Sequence, residues 1–175
     1  MEPAFSAEYA MTLTKIVSGG QTGVDRGALD AALAAKFPCG GWAPGDRMAE
    51  DGIIAERYPL VVLPKAGYRQ RTRQNVIDSD GTAILYYEML KGGTRLTRNL
   101  CALEKKLCIL IDARRISAPI EAAEAIVKFV EEQGIQTLNI AGPRASGWLG
   151  GHDFAMEVVG DVIRFSRSSA TGWKN

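Results

Sequence analysis

The sequence predicts an α/β domain built on a doubly wound, mostly parallel sheet, and three observations predict it. Short apolar runs alternate with amphipathic helical patterns along most of the chain, as they do when helices cover both faces of a parallel sheet. The run Leu107-Cys108-Ile109-Leu110-Ile111 is apolar throughout, the pattern of a strand buried on both faces. A glycine-rich turn, Ser18-Gly19-Gly20-Gln21-Thr22-Gly23, joins the first apolar run to the first helical pattern. With right-handed crossovers such units wind into a single Rossmann-like domain, whose ligands sit at the carboxyl ends of the strands.

The elements follow in order. Residues 1–13 lack a period and read as an N-terminal extension to a domain spanning 14–165. Residues 14–18 read as the first strand. Residues 24–37 read as a helix with Val24, Ala28, Ala31, Ala32 and Ala35 on one face. Residues 38–59 form a long connection rich in Gly and Pro; such connections inside compact domains are functional or disordered. Residues 60–63 are a short apolar run ended by Pro64, and 69–78 a short polar helix. Residues 82–86 read as the second strand, 96–106 as a helix after Gly92-Gly93-Thr94, and 107–111 as the third strand. Residues 119–133 read as a helix with Pro119 in its first turn and Gly134 as its stop. Residues 137–141 read as the fourth strand, 154–165 as the last helix and 166–175 as a polar, frayed tail.

A chain of 175 residues fits one domain and can bury a core without disulfides or metal. Its 21 basic and 20 acidic residues give no footprint for nucleic acid or a membrane surface. No apolar stretch spans a bilayer, and the start, with Glu2 and Glu8, is not a signal peptide. Three cysteines, Cys39, Cys101 and Cys108, without a C-x-x-C spacing, argue against a disulfide framework or zinc site and for a cytoplasmic, reducing location. Cys101 and Cys108 read as core, and Cys39 as a loop residue or a reactive thiol.

Glycines at the end of a strand let the backbone approach a ligand, and the helix that follows turns its free N–H groups and positive dipole end toward it. The 19–23 loop therefore suits a phosphate. Neither G-x-G-x-x-G nor G-x-x-x-x-G-K-[ST] is present, so a plain strand-to-helix turn is the competing reading. Thr22 and Asp25 resemble a capping pair. Ser79-Asp80-Gly81-Thr82, Gly92-Gly93-Thr94, Asp112-Ala113-Arg114-Arg115 and Gly142-Pro143-Arg144 stand at other strand ends or adjoining turns. Arg26, Arg71, Arg73 and Arg144 are candidates for planar contacts to phosphate or a heterocycle, against a solvated surface role. Trp42, Tyr68 and Trp148 are candidates for stacking on a flat ring, against packing. The single histidine, His152, reads as a helix-start residue; it makes no metal site by itself and no catalytic triad. Glu50 and Asp51 read as solvated or paired with arginine. No catalytic constellation is legible, which favours a binding protein over an enzyme.

Taken together, Ser18-Gly19-Gly20-Gln21-Thr22-Gly23-Val24-Asp25-Arg26, Gly40-Gly41-Trp42, Ala49-Glu50-Asp51-Gly52, Tyr68-Arg69-Gln70-Arg71-Thr72, Ser79-Asp80-Gly81-Thr82, Gly92-Gly93-Thr94 and Leu138-Asn139-Ile140-Ala141-Gly142-Pro143-Arg144 resemble the putative molybdenum carrier family. The resemblance runs from about residue 14 to 165. That family belongs to a Rossmann-like superfamily shared with lysine-decarboxylase-like phosphoribohydrolases. Two departures stand out. Ala43 occupies the place after Gly-Gly-Trp where members often carry a cysteine, and the hydrolase motif Pro-Gly-Gly-x-Gly-Thr-x-x-Glu is only partly echoed.

The resemblance implies a homo-oligomer, dimer or tetramer, that binds molybdenum cofactor (molybdopterin), a phosphorylated pterin, for storage or transfer. On that expectation Gly19, Gly20, Gln21, Thr22 and Gly23, with Arg26, wrap the phosphate. Gly92, Gly93 and Thr94 complete the cradle, and Asp80, Gly81, Thr82 and Arg144 address the pterin or metal end. The alternative is a nucleotide-binding sensor or a phosphoribohydrolase-like enzyme using the same phosphate pocket, with Glu50, Asp51 or Asp80 as acid/base.

Overall fold

The computed structural model describes residues 13–170, so the expected extension, apart from Leu13, and the tail beyond 170 lie outside the described residues. In chain order the elements are β1 (Lys15–Val17), α1 (Val24–Ala34), β2 (Cys39–Gly40), β3 (Trp42–Ala43), β4 (Met48–Ala49), β5 (Gly52–Ile53), β6 (Val61–Val62), α2 (Tyr68–Ile77), β7 (Gly81–Tyr86), α3 (Gly92–Leu103), β8 (Leu107–Asp112), α4 (Pro119–Gln133), β9 (Thr137–Ala141) and α5 (Gly151–Ala170). The order β2-β1-β9-β7-β8, parallel throughout, is the expected Rossmann-like sheet.

The period of two along β9 divides the core. Leu138 and Ile140 join Ile16, Ala83 and Leu85 under α1, α4 and α5, where the largest buried cluster lies. Asn139, between them, faces the opposite side with residues of α2 and α3. The α1 and α5 helices pack closely because Gly27 has no side chain: a Cβ there would lie 2.2 Å from the His152 carbonyl oxygen.

Helix ends differ from expectation for one recurring reason. The α1, α3 and α4 helices all close with a Schellman turn, shown by Phe37 N–H donating to the Ala32 carbonyl, Lys106 N–H to Cys101 and Ile135 N–H to Val130, at 2.8, 2.8 and 3.0 Å. The left-handed position is Gly134 after α4 but Lys36 after α1 and Lys105 after α3. Where lysine replaces the usual glycine, the sequence carries no stop signal, and the expected helices ran three residues too long. At the other end of the chain α5 outruns its expected span. Ser166 is buried, its hydroxyl 3.5 Å from the Leu13 carbonyl, and Arg167 donates to the Ala35 carbonyl at 2.7 Å, so 166–170 continue the helix rather than fray.

The third strand also departs from expectation. β8 is an edge strand, with Leu107 and Leu110 43% and 41% exposed. An apolar run marks a strand but not its place in the sheet order.

The 38–59 connection is ordered. β2 extends the main sheet, β3 pairs with β6, and β4 pairs with β5. Leu29, Ala43, Ile54, Tyr58 and Leu60 form a second small core beside α1. Arg47 knits the segment together: its guanidinium donates to the carbonyls of Ile54, Leu60, Ala55 and Tyr58 at 2.9 to 3.2 Å. His152 starts α5 as expected and joins it to α1, with Nε2 2.8 Å from Asp30 Oδ2 and Nδ1 2.9 Å from Asp153 Oδ1. Tyr58 donates its hydroxyl to the other Asp30 oxygen at 2.8 Å.

Two outcomes are expected. Arg47→Ala should lower the unfolding free energy by about 2 kcal/mol in urea titration, the scale for losing charge-assisted bonds to carbonyls. Arg47→Lys should recover little of it, because one ammonium cannot span four carbonyls. His152 is raised above the ordinary 6.5 by the carboxylates of Asp30 and Asp153. Its stabilisation is therefore complete below pH 6.5 and fades as pH rises through the folded-state value. Since it is the only imidazole in the chain, a proton NMR titration should show one midpoint, above 6.5, that falls in Asp30→Asn.

Candidate functional site

A cleft of about 580 Å³ opens at the carboxyl ends of β1, β7 and β9, where the fold class places ligands. Gln21 and the 142–144 turn form one wall. Tyr87, Met89 and the start of α3 at Gly92, Gly93 and Thr94 form the other, and Tyr68 joins them. Its charged lining residues are Lys91 and Arg144; none is a carboxylate. Lys91 is the N-cap of α3 and makes no side-chain cap. Its carbonyl accepts from Thr94 and Arg95 N–H at 3.0 and 3.2 Å, while the Gly92 and Gly93 N–H groups have no acceptor among the described residues. A helix start with free N–H groups favours an anion. Gly93 is also a packing requirement, since a Cβ there would lie 2.2 Å from the Tyr68 hydroxyl.

The first glycine loop sits differently from expectation. Gln21 lines the cleft, and Gly19 lines a small cavity below it. A Cβ would lie 1.5 Å from Arg71 Nη1 at Gly19, 2.3 Å from Leu60 Cδ1 at Gly20 and 2.5 Å from the Pro143 oxygen at Gly23. These glycines admit protein neighbours. At the start of α1, Val24 N–H donates to the Pro143 carbonyl at 3.2 Å, and Thr22 N–H to Gln21 Oε1 at 3.0 Å. Thr22 does not cap the helix; its hydroxyl donates to Glu50 and accepts from Ala145 N–H at 3.1 Å. Arg26 pairs with Asp51 and donates to the Gly20 carbonyl at 3.2 Å.

Asp80 and Gly81 stand at the opposite rim of the sheet. The Asp80 carboxylate accepts from Gln136 and Thr137 N–H at 3.0 and 2.8 Å, at the amino end of β9, and Gly81 leaves room for Ile135. Thr82 is buried beside Asn139. All three precede or begin β7, whereas the cleft lies past its end. In a parallel sheet that distinction separates two rims. The Glu50 and Asp51 carboxyls are held below the ordinary range. Thr22 and Ser146 hydroxyls act on Glu50, and Arg26 acts on Asp51. Both are thus paired, as the sequence suggested. Of the stacking candidates, Tyr68 reaches the cleft. Trp42 donates its indole N–H to Asp78 at 2.7 Å, and Trp148 packs on Tyr87 and Phe154.

Beneath the cleft, and sharing Tyr68 and Gly142 with it, is a polar cavity of about 10 Å³ lined by Asp25, Arg71, Asn75, Thr97 and Asn139. It has room for about one water. Arg71, on α2, is 4% exposed. Nη1 lies 3.4 Å from Asp25 Oδ2, Cζ stands 4.5 Å over the Tyr68 ring, and the buried Nε has no partner among the described residues. Burial pushes the Asp25 carboxyl up, against the opposing pull of Arg71 and of Gln21 N–H. The sequence could not choose Arg71 over its neighbours, because burial made the choice. Asn139 did carry a signal, as an amide between Leu138 and Ile140 in a largely apolar strand, and Tyr87 carried none.

The fold and site define a Rossmann-like α/β domain with a cleft at the strand carboxyl ends whose charged lining residues are Lys91 and Arg144. The chain belongs to the circularly permutated YpsA SLOG family, whose sequence profile matches residues 16–163. It is similar to the crystal structure of the "putative molybdenum carrier protein" from Syntrophus aciditrophicus SB. The two share 43% identity over 87% of this chain and 96% of the other, with a TM-score of 0.83. No curated protein matches. Among the described residues no three His, Cys, Asp or Glu side chains converge as metal ligands, and no helix is long and apolar enough to cross a membrane.

Arg71→Met should cost about 3–5 kcal/mol in urea unfolding, because it strands a buried carboxylate. Adding Asp25→Asn should restore part of that loss. Strictly additive costs would show that the two groups do not act as a pair.

Proposed function

We propose that the protein holds a phosphorylated pterin, molybdenum cofactor, in this cleft for storage or transfer. The observation that carries the reading is the character of the cleft. It has Lys91, an Arg144 guanidinium shared with Glu50 Oε2 at 3.5 Å, a helix start with free N–H groups and no lining carboxylate, together with two tyrosines on its walls. Its volume falls in the range of small-molecule sites. The name of the 43% identical relative supports the choice of cargo.

In this reading the phosphate sits at the start of α3, on the N–H groups of Gly92 and Gly93 and near Lys91. Tyr68 and Tyr87 offer faces to the pterin ring, and Gln21 and Arg144 meet its polar edge. In this reading recognition falls on the organic part of the ligand. Holding and release need no bond to be made or broken.

The test is thermal unfolding of the purified protein with molybdenum cofactor and, separately, with GMP and AMP. A ligand at about 100 times its dissociation constant adds roughly 2.7 kcal/mol to a folded state that alone binds it. Stabilisation by the cofactor, weakened in Lys91→Glu and by salt, is the expected result. Stabilisation by GMP or AMP without any by the cofactor would overturn the reading in favour of a nucleotide ligand.

A further inference from the structure

Every polar atom of Gln21 but one has a partner inside the protein. Its N–H donates to Asp25 Oδ2 at 3.4 Å, and its carbonyl accepts from Arg26 N–H at 3.1 Å. Its Oε1 accepts from two backbone groups at once, Thr22 N–H at 3.0 Å and Glu50 N–H at 2.9 Å. Two N–H donors converging on one atom identify it as the amide oxygen. The amide cannot turn over without setting its NH2 group against both. What remains is Nε2. It has no acceptor among the described residues, and the side chain lines the cleft.

Glu50 supplies one of the two bonds that fix this amide. It stands at the tip of the β4–β5 hairpin. Its carboxylate accepts from the Thr22 hydroxyl, from Ser146 N–H at 3.1 Å and from the Ser146 hydroxyl at 2.7 Å. Asp51 beside it pairs with Arg26. The tip is thus pinned to the first loop and to the turn after β9, which delivers the Glu50 N–H to Gln21 at a fixed place. The same carboxylate lies 3.5 Å from Nε of Arg144, the other polar side chain on this wall of the cleft.

We infer that Gln21 is a fixed hydrogen-bond donor that selects ligands carrying an oxo rather than an amino group on the edge that meets this wall, and that Glu50 is the residue that positions it. The inference rests on the proposed placement of the ligand, with its phosphate at the start of α3 and its ring edge toward Gln21 and Arg144. A guanidinium has donors only, so both polar side chains of this wall ask for acceptors. The oxo group of a pterin or of a 6-oxopurine meets them. An amino group in its place turns N–H toward N–H, and both sides lose a partner. Unpaired polar groups are what make a hydrogen-bonding site reject the wrong analogue.

The experiment is calorimetric titration with two nucleotides that differ only at the 6-edge of the purine, GMP and the 5′-monophosphate of 2,6-diaminopurine riboside. GMP should bind at least about tenfold more tightly. Gln21→Glu keeps an oxygen for the Thr22 and Glu50 N–H groups and replaces the cleft-facing NH2 by a carboxylate oxygen. Its charge opposes both phosphorylated ligands alike, so the ratio of affinities is the readout, and it should invert in favour of the diamino ligand. Gln21→Met should bring the ratio to about one. Glu50→Ala should lower the ratio with both ligands still bound, whereas loss of a purely structural residue would move both affinities together. Equal affinities in the unmodified protein, no binding of GMP, or a ratio unchanged in Gln21→Glu and Gln21→Met would overturn selection by Gln21. A ratio unchanged in Glu50→Ala would overturn the positioning role. Competition with molybdenum cofactor separates this inference from the proposed cargo. A cleft that discriminates the nucleotides but ignores the cofactor keeps the inference and loses the cargo, and one that binds the cofactor without discriminating does the reverse.

Discussion

The buried pair of Asp25 and Arg71 is the constraint from which much of the site follows. A guanidinium this deeply enclosed must be matched by charge and hydrogen bonds, and the match here is partial, one contact of 3.4 Å and an Nε with no partner. The surrounding chain is shaped to admit it. Gly19 has no Cβ because Arg71 Nη1 occupies that space, and Tyr68 lies against the guanidinium with its hydroxyl where Gly93 would carry a side chain. One arginine thus sets the position of the first loop, the tyrosine on the cleft wall and the approach of α3.

The two glycine-bearing helix starts divide their duties as a result. Both begin past a strand end and both have free N–H groups in principle. Around α1 the protein supplies acceptors for Val24 and Thr22 N–H, the Pro143 carbonyl and the Gln21 side chain, and the Gly23 and Asp25 N–H groups have none among the described residues. Around α3 the Gly92 and Gly93 N–H groups likewise have none among the described residues. What sets the α3 start apart is that both of its glycines line the cleft. A glycine-rich sequence says that something comes close to the backbone. Whether that is a ligand or a leucine such as Leu60 depends on contacts made far along the chain.

This is also where legibility in the sequence stops. The alternation of elements and the parallel sheet were legible, because burial on both faces imprints a periodicity. The ends of α1 and α3 were not, because Lys36 and Lys105 adopt the conformation usually left to glycine. The place of β8 at the edge was not, because an apolar run reports a strand and not its neighbours. Among site residues, Gln21, Gly92, Gly93, Thr94 and Arg144 do meet in one cleft. Asp80 and Gly81 were read as ligand groups from their turn-like composition, but a turn before a parallel strand and a turn after it lie at opposite rims. Arg71 and Asp25 were visible only as charged residues. Their partnership across 46 positions exists only in the folded chain.

Asn139 shows how a polar side chain is carried inside the sheet. It stands between Leu138 and Ile140 on the side of the sheet that faces α2 and α3, and there it borders the Arg71 cavity and donates to Thr82. A buried polar side chain is tolerated when its bonds are satisfied, and here each bond passes the requirement to the next group. Thr82 accepts from Asn139 at 3.2 Å, so the hydroxyl and the amide hold each other in place beneath the cleft.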